Sequence, residues 1–436
     1  MLRQVEQEGG FANHLLEMAF NRTGLSPEDR RLAYLLVYGV LRHRNRLDWA
    51  ISSHADHPLG KLTPWIRNCL RMGAYQLLDI RDLRPSVAVD ESVRLAHRYG
   101  HRGTASFVNA VLRKIASQGV RSLPTMSESP EEHLVIAQSH PRWLVNRWLK
   151  RYGPDITLKL CVVNNQPPRT TIRWNRLKGG FLDQPPELLG KSLEEPVPSD
   201  VIPEAFFIQG PQPIVHHPLY QEGKIDIMGL SSMLISHLLD VTGGHKVLDV
   251  CSGSGGKSCH MADLMENQGV IISADLKKGK LKAFLKRSRR LGAGICHPLC
   301  CDSARDLPLK EAFFDRVLVD APCSSLGVIQ RHPEIRWLRS EADILSLARI
   351  QKDILIRAAK ALRKGGRLLY GTCSLEPEET EDVMREFLER FPGFKVIDMN
   401  DGIPNAWQYK WKGDGALRLF PFSSGTDGFF AFSVRK

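Results

Sequence analysis

Two cysteines carry the strongest chemical signal in the chain. Cys323 closes the run Phe314-Asp315-Arg316-Val317-Leu318-Val319-Asp320-Ala321-Pro322-Cys323, and Cys373 follows Arg367-Leu368-Leu369-Tyr370-Gly371-Thr372. Each stands just past an apolar, strand-forming stretch. Each is therefore delivered, with Asp320, to the C-terminal end of a strand, where ligands bind in open α/β sheets. A third run, Val247-Leu248-Asp249-Val250-Cys251-Ser252-Gly253-Ser254-Gly255-Gly256-Lys257, reads as a strand, a glycine turn and the start of a helix near Lys257. Glycines let the backbone approach a ligand closely, and a helix N-terminus offers unpaired N–H groups to an anionic moiety. Ile271-Ile272-Ser273-Ala274-Asp275 then ends a second strand in an acid about 20 residues after the turn, the arrangement that holds ribose hydroxyls. The turn and the acid together predict a nucleoside site, with two thiols beside it. No GxxxxGK[ST] loop occurs, which argues against nucleotide hydrolysis.

These residues need a sheet to hold them. Short β-rich runs at 247–250, 270–274, 316–319 and 367–370 alternate with longer helical patterns. That alternation means βαβ units and a doubly wound, mostly parallel α/β sheet. Residues 1 to about 120 read as all helical instead. Leu32, Leu35, Leu36, Val40 and Leu47 recur at helical spacing, as do Ile66, Leu70, Ala74, Leu77 and Leu78. Pro58, Pro64 and Pro85 fall where helices end or begin. Trp143, Leu144, Trp148 and Leu149 suggest an amphipathic helix, residues 170–174 a strand, and the Gly-, Pro- and acid-rich stretch 176–200 a surface connection. Three domains are expected: helical over 1–122, small α+β over 133–222, and α/β over 223–436.

The composition is globular, with 42% hydrophobic and 25% charged residues among 436, which excludes a disordered or collagen-like chain. Lys and Arg total 60 against 48 acidic residues, a net +12. Such an excess favours a polyanionic partner, although solvated helix faces explain basic patches as readily. No stretch approaches the ~18–20 apolar residues of a membrane span, and the first residues lack a signal-peptide pattern. A monomeric cytoplasmic protein with no membrane partner is expected. The nine cysteines form no CxxC pair and read as reduced thiols. Cys69, Cys161 and Cys259 read as small core residues, and Cys296, Cys300 and Cys301 are too irregular for zinc. No metal site is expected.

The segments Cys251–Lys257, Asp320-Ala-Pro-Cys323, Arg331-His-Pro-Glu-Ile-Arg-Trp337, Thr372-Cys373-Ser374 and Asp427-Gly-Phe-Phe430 strongly resemble the Nol/Nop/Sun family of RNA cytosine-C5 methyltransferases. The N-terminal part resembles the NusB fold, a helical RNA-binding domain, through Tyr38-Gly-Val-Leu-Arg42, Leu70-Arg-Met-Gly-Ala-Tyr-Gln76 and Phe107-Val-Asn-Ala-Val-Leu-Arg113. Two positions depart from the family pattern. The turn Ser252-Gly253-Ser254-Gly255-Gly256-Lys257 replaces Ala-Ala-Pro-Gly-Gly-Lys, and Met228-Gly229 replaces a Gln-Asp pair.

The resemblance implies a Rossmann-like class I methyltransferase domain, S-adenosylmethionine as methyl donor, and small-subunit (16S) ribosomal RNA as partner. It further implies Cys373 as the nucleophile on cytosine C6, activated by a lowered pKa, and Cys323 as the group that assists product release. Asp320 would hydrogen-bond the pyrimidine edge, and Lys257 would touch both base and cofactor. Cys251, Ser252, Gly253, Ser254, Gly255, Gly256 and Lys257 would hold the methionine end, Asp275 the ribose and Asp302 the adenine edge, with Asp320 also at the cofactor. Other readings are methylation of another RNA such as tRNA, an RNA-binding protein with impaired catalysis, and a DNA cytosine methyltransferase.

Overall fold

The computed structural model describes residues 1–180, 194–198, 202–209, 214–399 and 414–436. They form two compact units, Met1–Pro167 with Ile329–Ser340, and Pro168–Val328 with Glu341–Lys436.

The first unit is helical, as its periodicity predicts. Its longer helices are α1 (Leu2–Glu8), α2 (Ala12–Phe20), α3 (Pro27–Ser52), α4 (Pro64–Asp79), α5 (Pro85–Tyr99), α6 (Arg102–Gln118) and α7 (Arg142–Asn165). Pro27, Pro64 and Pro85 open helices, where the missing N–H has no intrahelical partner to lose. Ser26 and Thr63 cap α3 and α4 by accepting from Asp29 N and Ile66 N. Val40, Leu47, Ile66, Leu70 and Ala74 are buried, whereas Leu32 and Leu35 are each 46% exposed. The inward stripe of α3 runs through Ala33, Tyr34, Val37, Val40, Leu41 and Leu47, which leaves Leu32 and Leu35 on its outer flank.

Residues 329–340 excepted, packing divides the chain once, after Pro167. Residues 133–167 join the helical unit, and residues 168–222 join the α/β unit. The Arg331–Trp337 motif also leaves the α/β unit in which sequence order would place it. Arg336 is fully buried in the helical unit, where Nη1 donates to Ser139 O (3.0 Å) and Nη2 to Asn164 O (3.0 Å). Trp337 Nε1 donates to Leu41 O (2.7 Å), and Glu334 Oε1 accepts from Ala12 N (3.0 Å). Backbone carbonyls thus receive a guanidinium and an indole that no local pattern assigns to them.

The second unit holds two sheets. The smaller comprises β1 (Thr170–Trp174), β2 (Glu194–Pro198), β3 (Ala205–Gln209) and β4 (Ile225–Ile227), in the order β2-β3-β1-β4 and antiparallel throughout. Strand β1 matches its expectation. The surface connection expected over 176–200 contains a short helix, Arg176–Gly179, and the strand β2, while 181–193 and 199–200 lie outside the described residues. Pro196 and Pro198 are accommodated because β2 is an edge strand and need not donate on its outer side.

The larger sheet contains β5 (Lys246–Asp249), β6 (Val270–Asp275), β7 (Cys296–Cys300), β8 (Phe314–Asp320), β9 (Leu362–Thr372), β10 (Lys395–Ile397), β11 (Leu417–Leu419) and β12 (Phe429–Arg435). Its order is β10-β12-β9-β8-β5-β6-β7, with β11 beside β12. Strands β5 to β9 are parallel, and β12 runs antiparallel to β9. Val247, Leu248, Val317, Leu318, Val319, Leu368, Leu369 and Tyr370 have no exposure, as strands covered on both faces require. The helices of this unit include α8 (Leu230–Leu238), α9 (Gly256–Leu264), α10 (Lys278–Leu291), α11 (Glu341–Ala361) and α12 (Glu381–Arg390). Among the described residues, no helix is long and apolar enough to cross a membrane.

Candidate active site

Strand register brings the chemistry together. Asp320 pairs with Gly371 across β8 and β9, so Cys323 and Cys373 emerge two or three residues later at one sheet edge. Asp249 stands opposite both Ser273 and Leu318, so the glycine turn and Asp275 reach the same edge. There a cavity of about 610 Å³ is lined by Cys251, Ser252, Gly253, Ser254, Gly256, Lys257, Asp275, Asp302, Asp320, Cys323 and Cys373. Every residue singled out for the site lines it except Gly255, whose role is internal. Gly255 has φ +83°, and a Cβ there would stand 2.2 Å from the Phe284 ring. Met228 and Gly229 line the cavity too.

At one end of the cavity, Asp275 Oδ2 accepts from Gly253 N (3.0 Å) and Oδ1 from Lys277 N (2.8 Å). These bonds aim the carboxylate without exhausting its acceptor capacity. Asp302 Oδ1 accepts from Ala304 N (3.1 Å). Cys251 is pushed well above the usual thiol range by burial and then by Asp249, so it lines the wall as a neutral thiol. Asp249 is fully buried, and burial pushes it up to about 7 against the opposing hydrogen bond from Ser258 Oγ (2.6 Å).

At the other end, Lys257 Nζ donates to Asp320 Oδ2 (2.6 Å). Burial opposes the ammonium, but Asp320 outweighs it and holds Lys257 above its ordinary value. The Cys323 and Cys373 sulfurs are 3.0 Å apart, and Ser325 Oγ lies 3.7 Å from Cys373 Sγ and 3.8 Å from Cys323 Sγ. Their ionisation departs from the expectation of a low-pKa Cys373. The hydrogen bond between the sulfurs lowers Cys323, while that same contact and burial hold Cys373 well above the usual range. One proton between two sulfurs stabilises a first thiolate and opposes a second. Gly327 N donates to Cys373 O (2.9 Å) and Gly327 O accepts from Gly428 N (2.8 Å), tying the loops after β8 and β9 to the one before β12. No side chain fits at Gly327, where a Cβ would stand 2.2 Å from Gly428 O.

The sequence reading missed Lys280, Arg287, Cys301, Ser325, Ile350 and Ile354, which also line the cavity. Cys301 follows β7 as Cys323 follows β8, a signal that was available. The residues on α10 and α11 carry none, because their positions depend on how those helices cross the sheet. Elsewhere in this unit, Glu204 Oε1 accepts from His237 Nε2 (2.5 Å) and His260 Nε2 (2.8 Å). These ligand-type groups stand at hydrogen-bonding distance, and the two imidazoles hold Glu204 below the usual carboxylate range despite its burial.

A parallel sheet with a glycine turn, a strand-end acid and a cavity at its C-terminal edge defines a Rossmann-like nucleoside-binding protein, here in a chain whose other unit is helical. Residues 236–435 match the family described as 16S rRNA methyltransferase RsmB/F, residues 1–117 the NusB family, and residues 140–215 the ferredoxin-like domain of RsmF/B-like methyltransferases. The chain is 35% identical to a probable ribosomal RNA small subunit methyltransferase B of Bacillus subtilis, covering 100% of this chain and 97% of that one. It is 31% identical to ribosomal RNA small subunit methyltransferase B of Escherichia coli, covering 89% and 88%. Among solved structures, that of PH0851 superposes with a TM-score of 0.82 at 28% identity, covering 96% and 93%. A methyltransferase homologue from Pyrococcus horikoshii gives 0.61 at 27% identity, covering 71% and 99%. The chain belongs to the RsmB/F family of 16S ribosomal RNA methyltransferases, whose methyl donor is S-adenosylmethionine.

The residues present fit that donor. Asp275 is aimed at the cavity, and Gly253 takes a positive φ (59°) that brings backbone to its wall. The Ser252 hydroxyl is buried in that wall with no hydrogen-bond partner among the described residues.

Proposed function

We propose that this methyltransferase modifies C5 of a cytosine in 16S ribosomal RNA, through a transient bond between Cys373 Sγ and C6 of the base. The observation that carries this reading is the thiol pair, 3.0 Å apart on the cavity wall beside the Asp320–Lys257 ion pair. Cytosine C5 is a poor nucleophile until a thiolate adds at C6, which breaks aromaticity and builds carbanion character at C5. Cys373 is the less buried residue of the two and, in keeping with the family resemblance, is assigned the attack. The Cys373 proton passes to solvent as the S–C6 bond forms, and Cys323 is reserved for the release step. Asp320 holds the pyrimidine edge and supports charge at N3, and Lys257 balances Asp320 while reaching base and donor. When bound, S-adenosylmethionine supplies a methyl group to C5 from its sulfonium. Cys323, the thiol whose ionisation is favoured, assists release by taking the C5 proton; the C–H electron pair restores the C5–C6 double bond and Cys373 leaves as a thiolate. Asp275 holds the donor's ribose, Asp302 the adenine edge and residues 251–257 the methionine end. The base has to leave any helix it occupies at a cost of a few kcal/mol, so the target is an unpaired nucleotide. The domains expected over 1–122, 133–222 and 223–436 then divide RNA binding from chemistry.

A second reading exchanges the cysteines, and the lowered Cys323 thiol favours it. Trapping separates the two. Under the first, Cys323→Ala attacks but releases poorly, so it accumulates a protein–RNA species that survives denaturation and disappears in the double variant. Cys373→Ala forms neither that species nor methylated product. A trapped species in Cys373→Ala and none in Cys323→Ala would reverse the assignment.

A further inference from the structure

The carboxylate of Glu379 lies outside the cavity and is fully buried in a short turn, Pro377–Glu379, that precedes α12. Its Oε1 accepts from Ser324 N (2.7 Å) and Gln351 Nε2 (3.0 Å). Its Oε2 accepts from Ser324 Oγ (2.5 Å) and Ser374 Oγ (2.5 Å). Ser324 follows Cys323 and Ser374 follows Cys373. Gln351, reaching in from α11, also donates to Pro322 O (2.9 Å), on the other side of Cys323. The Tyr370 hydroxyl, on β9, stands 2.8 Å from Glu379 O and 3.0 Å from Gln351 Oε1. Ser324, Gln351, Tyr370 and Ser374 have no exposure. Burial raises the Glu379 carboxyl against four opposing hydrogen bonds, so the group is kept at a cost that apolar packing would avoid.

We infer that Glu379 is a positioning residue that sets the separation of the two cysteine sulfurs. The cysteines stand on separate loops after separate strands, and neither loop is braced by regular structure. One carboxylate ties both loops together within one residue of each thiol. The tie is unequal. Three of its contacts, Ser324 N, Ser324 Oγ and Pro322 through Gln351, reach the Cys323 loop, whereas one reaches Ser374 beside Cys373, whose carbonyl Gly327 N also holds. Losing the carboxylate therefore displaces Cys323 more than Cys373. The step most affected is the one that needs Cys323 beside an already bonded Cys373, so attack persists and release slows. This consequence rests on the proposed roles of the thiols; the positioning does not.

The test reads sulfur proximity and turnover separately, in the full-length protein. Hydrogen peroxide takes two electrons and two protons from a close thiol pair, giving a disulfide and water, and peptide mass mapping reports Cys323–Cys373 linkage. In Glu379→Ala, linkage is expected to be about tenfold slower than in the parent, and kcat about tenfold lower with KM little changed and trapped RNA adduct present. Glu379→Gln is expected to restore both, because its amide oxygen can face Ser324 N while its NH2 meets two hydroxyls able to accept. Ser374→Ala serves if Glu379→Ala does not fold, and is expected to slow linkage by a smaller factor. Linkage at the parent rate in Glu379→Ala, or in Ser374→Ala where that variant stands in, overturns the positioning role whatever turnover does. Slow linkage with unchanged turnover upholds the positioning and refutes the catalytic roles of the thiols.

Discussion

Replacing Asp275 by alanine tests the donor site most directly. The carboxylate is 8% exposed and is held by Gly253 N at 3.0 Å and Lys277 N at 2.8 Å, so its direction is set before any ligand arrives. A ribose presents two vicinal hydroxyls, and each bond from a hydroxyl to a charged acceptor is worth about 1.5–3 kcal/mol. Water entering the vacated space recovers part of that sum, so a net loss of about 3 kcal/mol is expected, or roughly 150-fold in Kd. The two backbone bonds lost with the side chain cost about 1 kcal/mol each, small enough for the sheet to stay folded. Isothermal titration with S-adenosylmethionine measures the affinity, and a single cooperative thermal transition of the apo protein, lowered by only a few degrees, controls for folding. Asp275→Asn keeps one carbonyl acceptor and is expected to fall between parent and alanine, about tenfold weaker than parent. An Asp275→Ala affinity within about threefold of the parent would show that the strand-end acid does not hold the ribose.

Two further outcomes concern pH and salt. Asp249 is fully buried with its carboxyl raised from 3.8 to about 7, so the folded chain keeps a proton that the unfolded chain gives up. Its contribution is complete below pH 3.8 and is lost as pH rises towards 7. Over that interval Asp249→Asn should lose less stability than the parent, by about 4 kcal/mol at most, and superimposable denaturation curves at each pH would refute the assignment. Arg94, Arg98 and Arg102 are exposed on the helical unit. Replacing all three with Gln should reduce the slope of log affinity for a 16S ribosomal RNA fragment against log salt by about 2–3, and an unaltered slope would mark them as solvated surface.

How much of this was legible in the sequence depends on how local each cause is. The strand runs, the glycine turn, Asp275 and both cysteines are short-range patterns. A parallel strand that ends in a functional residue announces both its type and its exit edge, so Cys323, Cys373, Asp320 and Lys257 could be assigned to one site before any coordinates. Helical spacing predicted α3, but its inward face was set by its neighbours, and Leu32 and Leu35 turned outward. The Arg331–Trp337 motif could be recognised but not located, because Arg336 is satisfied by carbonyls of residues 139 and 164, far away in sequence. Glu379 gave no signal at all. Its partners at 324, 351 and 374 are separated along the chain and meet only once β8, β9 and α11 are packed. The charge state of the thiols is tertiary in the same sense. Sequence places each sulfur at a strand end, and only a separation of 3.0 Å makes them share a proton, lowering Cys323 and raising Cys373. The amino-acid order thus determined which groups reach the sheet edge, because secondary structure follows from near neighbours. Tertiary structure decided how those groups ionise and what holds them in place, because both depend on distances between residues that the chain alone leaves far apart.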